Sequence, residues 1–379
     1  MMNFNEKVLN AHKNLKGKLS IQSKDSLDSF EKLSTYYTPG VGAVSRYIFD
    51  NPEQTRNYTW TGNNVAVISD GSAVLGLGNI GPKASLPVME GKAMIFKEFA
   101  GIDAIPIVLD VHTADEIVAA VKAIAPSFGG INLEDIAAPI CFEVEDRLKN
   151  ELSIPVMHDD QHGTAVVVLA GLINAAKLAN KNLADCKIVC LGAGAAGTAI
   201  VKLINYFANP NQLILVDSKG IISRSRTDLN NEKTELLEIT NKDNIDGSIE
   251  DALVEADIFI GVSKSNAINQ AMVRTMNQNP IIFAMANPNP EIDPKLAKEA
   301  GAFIVATGRS DYPNQINNAL VFPGIFRGAL DNNVKHITDD HKIEVAKALA
   351  MLVEMPNVDM IIPEVLDNRV VPTISNIIR

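Results

Sequence analysis

The stretch Lys187-Ile-Val-Cys-Leu-Gly-Ala-Gly-Ala-Ala-Gly197 decides the fold. Residues 187–191 read as a short buried strand. Gly192-Ala193-Gly194-Ala195-Ala196-Gly197 then fits Gly-x-Gly-x-x-Gly and opens a proline-free helix over 198–207. Each glycine has its own duty: Gly192 makes the tight turn, Gly194 lets a pyrophosphate approach the backbone, and Gly197 lets helix and strand touch. The helix start offers free N–H groups and a favourable dipole to phosphate. Residues 212–217 read as the next strand, and Asp217 ends it at the spacing of an acid that grips ribose hydroxyls. The stretch therefore predicts a dinucleotide site on a parallel sheet.

Toward the C-terminus, apolar runs at 258–262, 281–284 and 303–306 alternate with helical stretches, and the last fifty or so residues read as mostly helical. Toward the N-terminus, strands are expected at 63–69, 72–75, 104–109, 128–135 and 154–157. Helices are expected at 5–15, 89–99, 113–125 and 141–152. Residues 164–179 are small and apolar, as in a buried helix. The expected fold class is α/β: an N-terminal α/β domain over 1–160, then a Rossmann-like doubly wound parallel sheet with C-terminal helices over 161–379. A second Gly-x-Gly-x-x-Gly, Gly76/Gly78/Gly81, is followed by Pro82 and Pro87. Pro82 is tolerated in a first helical turn, but Pro87 argues against a helix there. A loop lining the same cleft is the expectation.

The chain has 379 residues, 46% apolar, with a formal net charge of −11, which argues against nucleic acid or an anionic membrane as partner. Three cysteines without a Cys-x-x-Cys pair, no secretory h-region and no membrane-length apolar run point to a cytoplasmic protein. Cys141, Cys186 and Cys190 read as core residues or free thiols rather than a disulfide framework.

Glu134-Asp135 and Asp159-Asp160 both follow short apolar runs, at the strand ends where open α/β sheets bind ligands. Hard oxygen ligands suit Mg²⁺ or Mn²⁺, and helix capping is the competing reading. His158 and His162 stand four apart, but Gly163 and the absence of a Glu between them weigh against zinc. Tyr37 sits beside a Pro-Gly turn, and Lys92 follows Glu90-Gly91. A nearby cation would lower a lysine toward working pH and make it a usable base. Asn287 and Asn318 offer amides suited to a carboxylate or carboxamide, with turn formation as the alternative.

In order along the chain stand Tyr37-Thr-Pro-Gly-Val, Ser69-Asp-Gly-Ser-Ala followed by Val74-Leu75-Gly76-Leu77-Gly78-Asn79-Ile80-Gly81, Leu86-Pro-Val-Met-Glu-Gly-Lys92, Phe128-Gly-Gly-Ile-Asn-Leu-Glu134-Asp135-Ile136, His158-Asp-Asp160-Gln-His-Gly-Thr-Ala165, Gly192 to Gly197, Ala286-Asn287-Pro-Asn-Pro-Glu291, and Thr307 to Asn318. Over roughly residues 25 to 335 the chain resembles the malic enzyme family in its short bacterial form. The resemblance implies Tyr37 as general acid and Lys92 as general base, with Tyr36 and Lys97 as lesser competitors. It implies Glu134, Asp135 and Asp160 as metal ligands. It also implies that residues 74–81, Ala193 to Ala196, Asn287 and Asn318 contact cofactor or substrate. The phosphotransacetylase-like extension of some relatives is not expected. Ala100-Gly-Ile102 is followed by Asp103, where long eukaryotic-type members carry a malate-binding arginine.

The activity so implied is oxidative decarboxylation of L-malate to pyruvate with NAD, or alternatively NADP, and Mg²⁺ or Mn²⁺, in a homodimer. Asp217 favours NAD, whereas Lys219, Arg224 and Arg226 are placed to meet a 2′-phosphate. Two rivals remain: malolactic conversion with retained cofactor, and a non-catalytic dinucleotide-binding regulator.

Overall fold

The computed structural model describes residues 3–74 and 76–379, so Leu75 lies outside the described residues. Two sheets carry the chain. The first has strands β1 (Asn64–Ser69), β2 (Asp103–Val108), β3 (Ile131–Leu133) and β4 (Val156–His158), all parallel, in the order β2-β1-β3-β4. The second has β5 (Lys187–Leu191), β6 (Gln212–Asp217), β7 (Gly220–Ile221), β8 (Ile258–Gly261), β9 (Ile281–Ala284) and β10 (Ile304–Thr307), in the order β10-β9-β8-β5-β6-β7. Only β7 runs antiparallel, against β6.

Every residue of β1, β8, β9 and β10 is buried, as expected of parallel strands covered on both faces. The helix Asp159–Leu178 buries fourteen of its residues. One core cluster runs from Val65 and Phe96 through Val166 and Leu169 of that helix to Ile188 and Phe283, so the two sheets share a core. All three cysteines are buried and free.

Strands β5, β6 and β9 fall on the expected residues. Three readings need correction. Residues 72–75 form no strand among the described positions; Val74 and Gly78 instead close a tight turn with mutual backbone hydrogen bonds. The helix expected from residue 89 begins at Gly81 and runs to Ala100 through Pro87. Pro87 removes one N–H from that helix, but its carbonyl oxygen accepts from Lys18 Nζ at 2.6 Å, and Met89, Lys92, Ala93 and Phe96 beyond it are buried. Tertiary packing outweighs the lost bond. The helix expected from residue 164 begins at Asp159, which puts both aspartates in its first turn. Among the described residues, no helix is long and apolar enough to cross a membrane.

Candidate active site

Parallel strands deliver their carboxyl ends to one edge, and the acids stand there. Glu134 and Asp135 follow β3 directly, and Asp159 and Asp160 follow β4. Lys92 reaches them from the helix Gly81–Ala100. Its Nζ lies 2.5 Å from Asp159 Oδ2 and 2.7 Å from Glu134 Oε1, with the lysine side chain only 8% exposed. The Phe322 ring is 4.2 Å below the ammonium, so one wall is aromatic. Asp160 Oδ2 accepts from the backbone N–H of Asp135 at 2.7 Å, and Asn132 Nδ2 donates to Glu134 Oε2 at 3.1 Å.

The Ser69-Asp-Gly-Ser72 run buttresses this turn. Asp70 Oδ1 accepts from the Ser72 hydroxyl at 2.6 Å, and Ser72 Oγ accepts from Ala137 N at 2.9 Å. Asp135 itself holds a left-handed φ of 53°, a conformation that costs free energy away from glycine.

Burial shapes the electrostatics. It pushes the Asp159 carboxyl up to about 7, with Glu134 adding to the rise against the pull of Lys92. Burial likewise lifts Asp160 to about 6 and raises Glu134, whose neighbour Asp160 adds to the effect. Lys92 is pulled two ways. Burial disfavours its charge, but Asp159 and Glu134 outweigh that and hold it protonated. Its described neighbours are carboxylates, not a cation.

As they stand, no three His, Cys, Asp or Glu side chains among the described residues form a ready metal cage. Lys92 occupies the space between Glu134 and Asp159. The donor set still fits a hard divalent ion. Several buried carboxylates face one ammonium, and Asp159 Oδ1 is buried without a hydrogen bond.

The glycine loop forms the second half of the site. The helix Ala195–Ala208 begins at Gly194 with no side-chain cap, leaving bare N–H groups for an anion. Gly192 has a φ of 119°, and a Cβ on Gly197 would stand 1.7 Å from Gly192 O, so both positions demand glycine. A cavity of about 230 Å³ opens there, lined by Gly194, Thr198, Asn230 and Lys233 among others.

Asp217 ends β6 but is already engaged. Arg226 holds it at 2.8 and 3.1 Å, and Lys233 at 2.6 Å. These contacts bring its carboxyl down to about 2 in spite of burial. Lys219 turns to Asp228, and Arg224 donates to the backbone carbonyls of Leu237 and Asn241.

The loop 74–81 meets the second sheet: a Cβ on Gly76 would lie 3.1 Å from Asn287 O. Asn318 and Asp159 flank the same glycine, since a Cβ on Gly163 would stand 1.9 Å from Asp159 Oδ1 and 3.2 Å from Asn318 Cβ. Lys92, Glu134, Asp135, Asp160 and Asn318 are thus gathered together. Tyr37 is not among them. It is 66% exposed, and among the described residues its hydroxyl has no hydrogen bond.

Two sequence families match this chain: "Malic enzyme, N-terminal domain" over residues 16–149 and "Malic enzyme, NAD binding domain" over residues 161–377. The chain belongs to the malic enzyme family. Among relatives, this malic enzyme is 52% identical over 377 residues to the bifunctional malic/malolactic enzyme of Bacillus subtilis, covering 99% of this chain and 92% of that one. It is 54% identical over 357 residues to the NAD-dependent malic enzyme of Geobacillus stearothermophilus, covering 94% and 74%. The crystal structure of the NAD-dependent malic enzyme of Thermotoga maritima superposes with a TM-score of 0.95 at 49% identity, covering 98% of each chain.

Sequence reasoning set Asp159 among the candidate acids without pairing it with Lys92, and it missed Lys233. Asp159 was one of two adjacent acids, and its signal was helix phase: two successive residues in a first turn face different ways. Lys233 lies sixteen residues beyond Asp217, so only the fold brings the two together.

Proposed function

We infer that this malic enzyme oxidises L-malate at C2 with NAD or NADP and decarboxylates the product to pyruvate and carbon dioxide. The observation that carries the reading is the buried Lys92–Asp159–Glu134 cluster at the strand ends of a chain that both malic enzyme families match.

Glu134, Asp135 and Asp160 are the residues proposed to hold Mg²⁺ or Mn²⁺. Such an ion would supply a Lewis acid for the C2 oxygen and, by neutralising Glu134, would remove one of the charges that keep Lys92 protonated. Gly192 to Gly197 would hold the dinucleotide, which would supply the hydride acceptor for C2. Lys92 would first pass its extra proton to Asp159 across their short contact, and the neutral amine would then accept the hydroxyl proton. Val74 to Gly81, Asn287 and Asn318 line the substrate and nicotinamide side of the cleft. Asp217, with Arg226 and Lys233, faces the adenosine ribose. Tyr37 returns a proton to C3 after carbon dioxide leaves.

A homodimer is the proposed assembly, in the cytoplasm. The helices Phe4–Leu15, Phe30–Tyr36 and Val41–Asp50 bury none of their residues, and Phe30 is 89% exposed. Such exposed aromatic and aliphatic surface supports the reading, since a second copy in an isologous pair would cover it.

The likeness to the Bacillus subtilis enzyme, whose name includes malolactic activity, keeps a second reading in play. Incubating the protein with malate and each cofactor, with and without Mn²⁺, tests both. Metal-dependent accumulation of reduced cofactor and pyruvate is expected. Lactate without free reduced cofactor would favour the malolactic route, and no turnover at all would refute the assignment.

A further inference from the structure

Glu145 is a carboxylate that the proposed chemistry leaves without a role. It sits on the helix Ile140–Glu151 and is 3% exposed. Its partners straddle the Asp159-Asp160 pair in sequence. On the near side, Oε1 accepts from the backbone N–H of His158 at 2.9 Å. On the far side, Oε2 lies 2.8 Å from His162 Nε2 and accepts from Gln161 Nε2 at 3.3 Å. Lys149 Nζ completes the set, 2.7 Å from Oε1.

The geometry suits a clamp. His158 caps the helix Asp159–Leu178 without any side-chain cap of its own, so Glu145 restrains the chain at that entry from a separate helix. The five residues from His158 to Gln161 and His162 are closed at both ends on one carboxyl group. The packing inside is tight, since a Cβ on Gly163 would stand 1.9 Å from Asp159 Oδ1. A buried carboxylate with this many donors is a rigid anchor, because leaving any of them unpaired costs desolvation free energy. Glu134 and Asp135 come from β3, so relative to them the position of Asp159 and Asp160 depends on how firmly the β4 end is held.

We propose that Glu145 is a positioning residue: by gripping His158, Gln161 and His162, it sets Asp159 and Asp160 at the geometry needed to bind the divalent ion and to pair with Lys92. The proposal rests on the functional reading above. Outer partners of metal ligands typically contribute ~10–100-fold to metal affinity.

The test is direct Mn²⁺ binding to the full chain, read from the paramagnetic resonance of free Mn²⁺ and measured beside NADH binding by fluorescence. Glu145→Ala should weaken Mn²⁺ by ~10–100-fold. Glu145→Gln should weaken it less, because the amide oxygen still accepts from His158 N. NADH affinity should stay within about twofold, since the glycine loop is built separately on β5. Unchanged Mn²⁺ affinity in either folded variant overturns the clamp. So does parallel loss of Mn²⁺ and NADH binding, which is the mark of a merely structural residue. If Glu145→Ala does not fold, Glu145→Gln and His162→Asn decide, and unchanged Mn²⁺ affinity in either overturns the proposal. Wild-type protein that binds no Mn²⁺ would overturn the metal assignment itself and the clamp with it.

Discussion

Lys92 Nζ and Asp159 Oδ2 stand 2.5 Å apart, both buried, and each changes what the other can do. Asp159 keeps the lysine charged, while burial lifts the aspartate to about 7 against the pull of Lys92. A proton moved between them crosses one short contact, and the pair acts as a unit.

The unit makes a non-additive prediction. Lys92→Ala and Asp159→Asn should each lower turnover by ~10²–10⁴-fold, the usual contribution of a positioned acid or base. The double variant should be little worse than Lys92→Ala alone, because groups acting together do not contribute independently. Steady-state kcat for the three variants checks this. Losses that multiply would mean that the two residues serve separate steps.

Asp160→Ala tests the metal reading. One hard oxygen ligand is removed, so most activity should go at low Mn²⁺ and part of it should return at high Mn²⁺. Near-normal turnover at low Mn²⁺ would show that Asp160 is only the hydrogen-bond partner of Asp135 N.

Sequence and structure agree most closely where local chemistry is strict. Gly192 and Gly197 were legible because a tight turn at positive φ and a 1.7 Å approach admit only glycine. Pro87 misled, because propensity rules describe an isolated helix and this one is held by a core. The pairing of Lys92 with Asp159 was not legible. It depends on which charges the fold places around the ammonium, and Asp159 lies 67 residues away in the chain.

Asp217 gives a prediction about cofactor choice. The sequence favours NAD, since an acid repels a 2′-phosphate. Here the acid is held by Arg226 and Lys233, two cations that would reach a ribose gripped by Asp217. Asp217→Ser frees both. A hydrogen bond to a charged group is worth ~1.5–3 kcal/mol, so the NADP-to-NAD ratio of kcat/KM should rise by about tenfold or more. Lys233→Ala should lower that ratio. A ratio indifferent to both changes would place the 2′ position elsewhere.

Tyr37 carries the last prediction. A general acid must come within hydrogen-bond reach of the carbon it protonates. Tyr37 is 66% exposed, on an arm whose apolar residues also face outward, so a second copy of the chain is the natural cover for both. Tyr37→Phe removes only the hydroxyl. Turnover should fall by ~10²–10⁴-fold, while the first equivalent of cofactor is still reduced in a single-turnover experiment. Lys92→Ala should block even that first reduction. The two inactive variants can then be mixed and allowed to exchange subunits. If the arms cross between copies, each mixed dimer regains one site with both Lys92 and Tyr37 intact, and about a quarter of wild-type activity returns in an equal mixture. If Tyr37 serves its own chain, the mixture stays inactive. Should Tyr37→Phe suppress the first hydride transfer as fully as Lys92→Ala, the division of labour fails, and the tyrosine acts on the C2 hydroxyl instead.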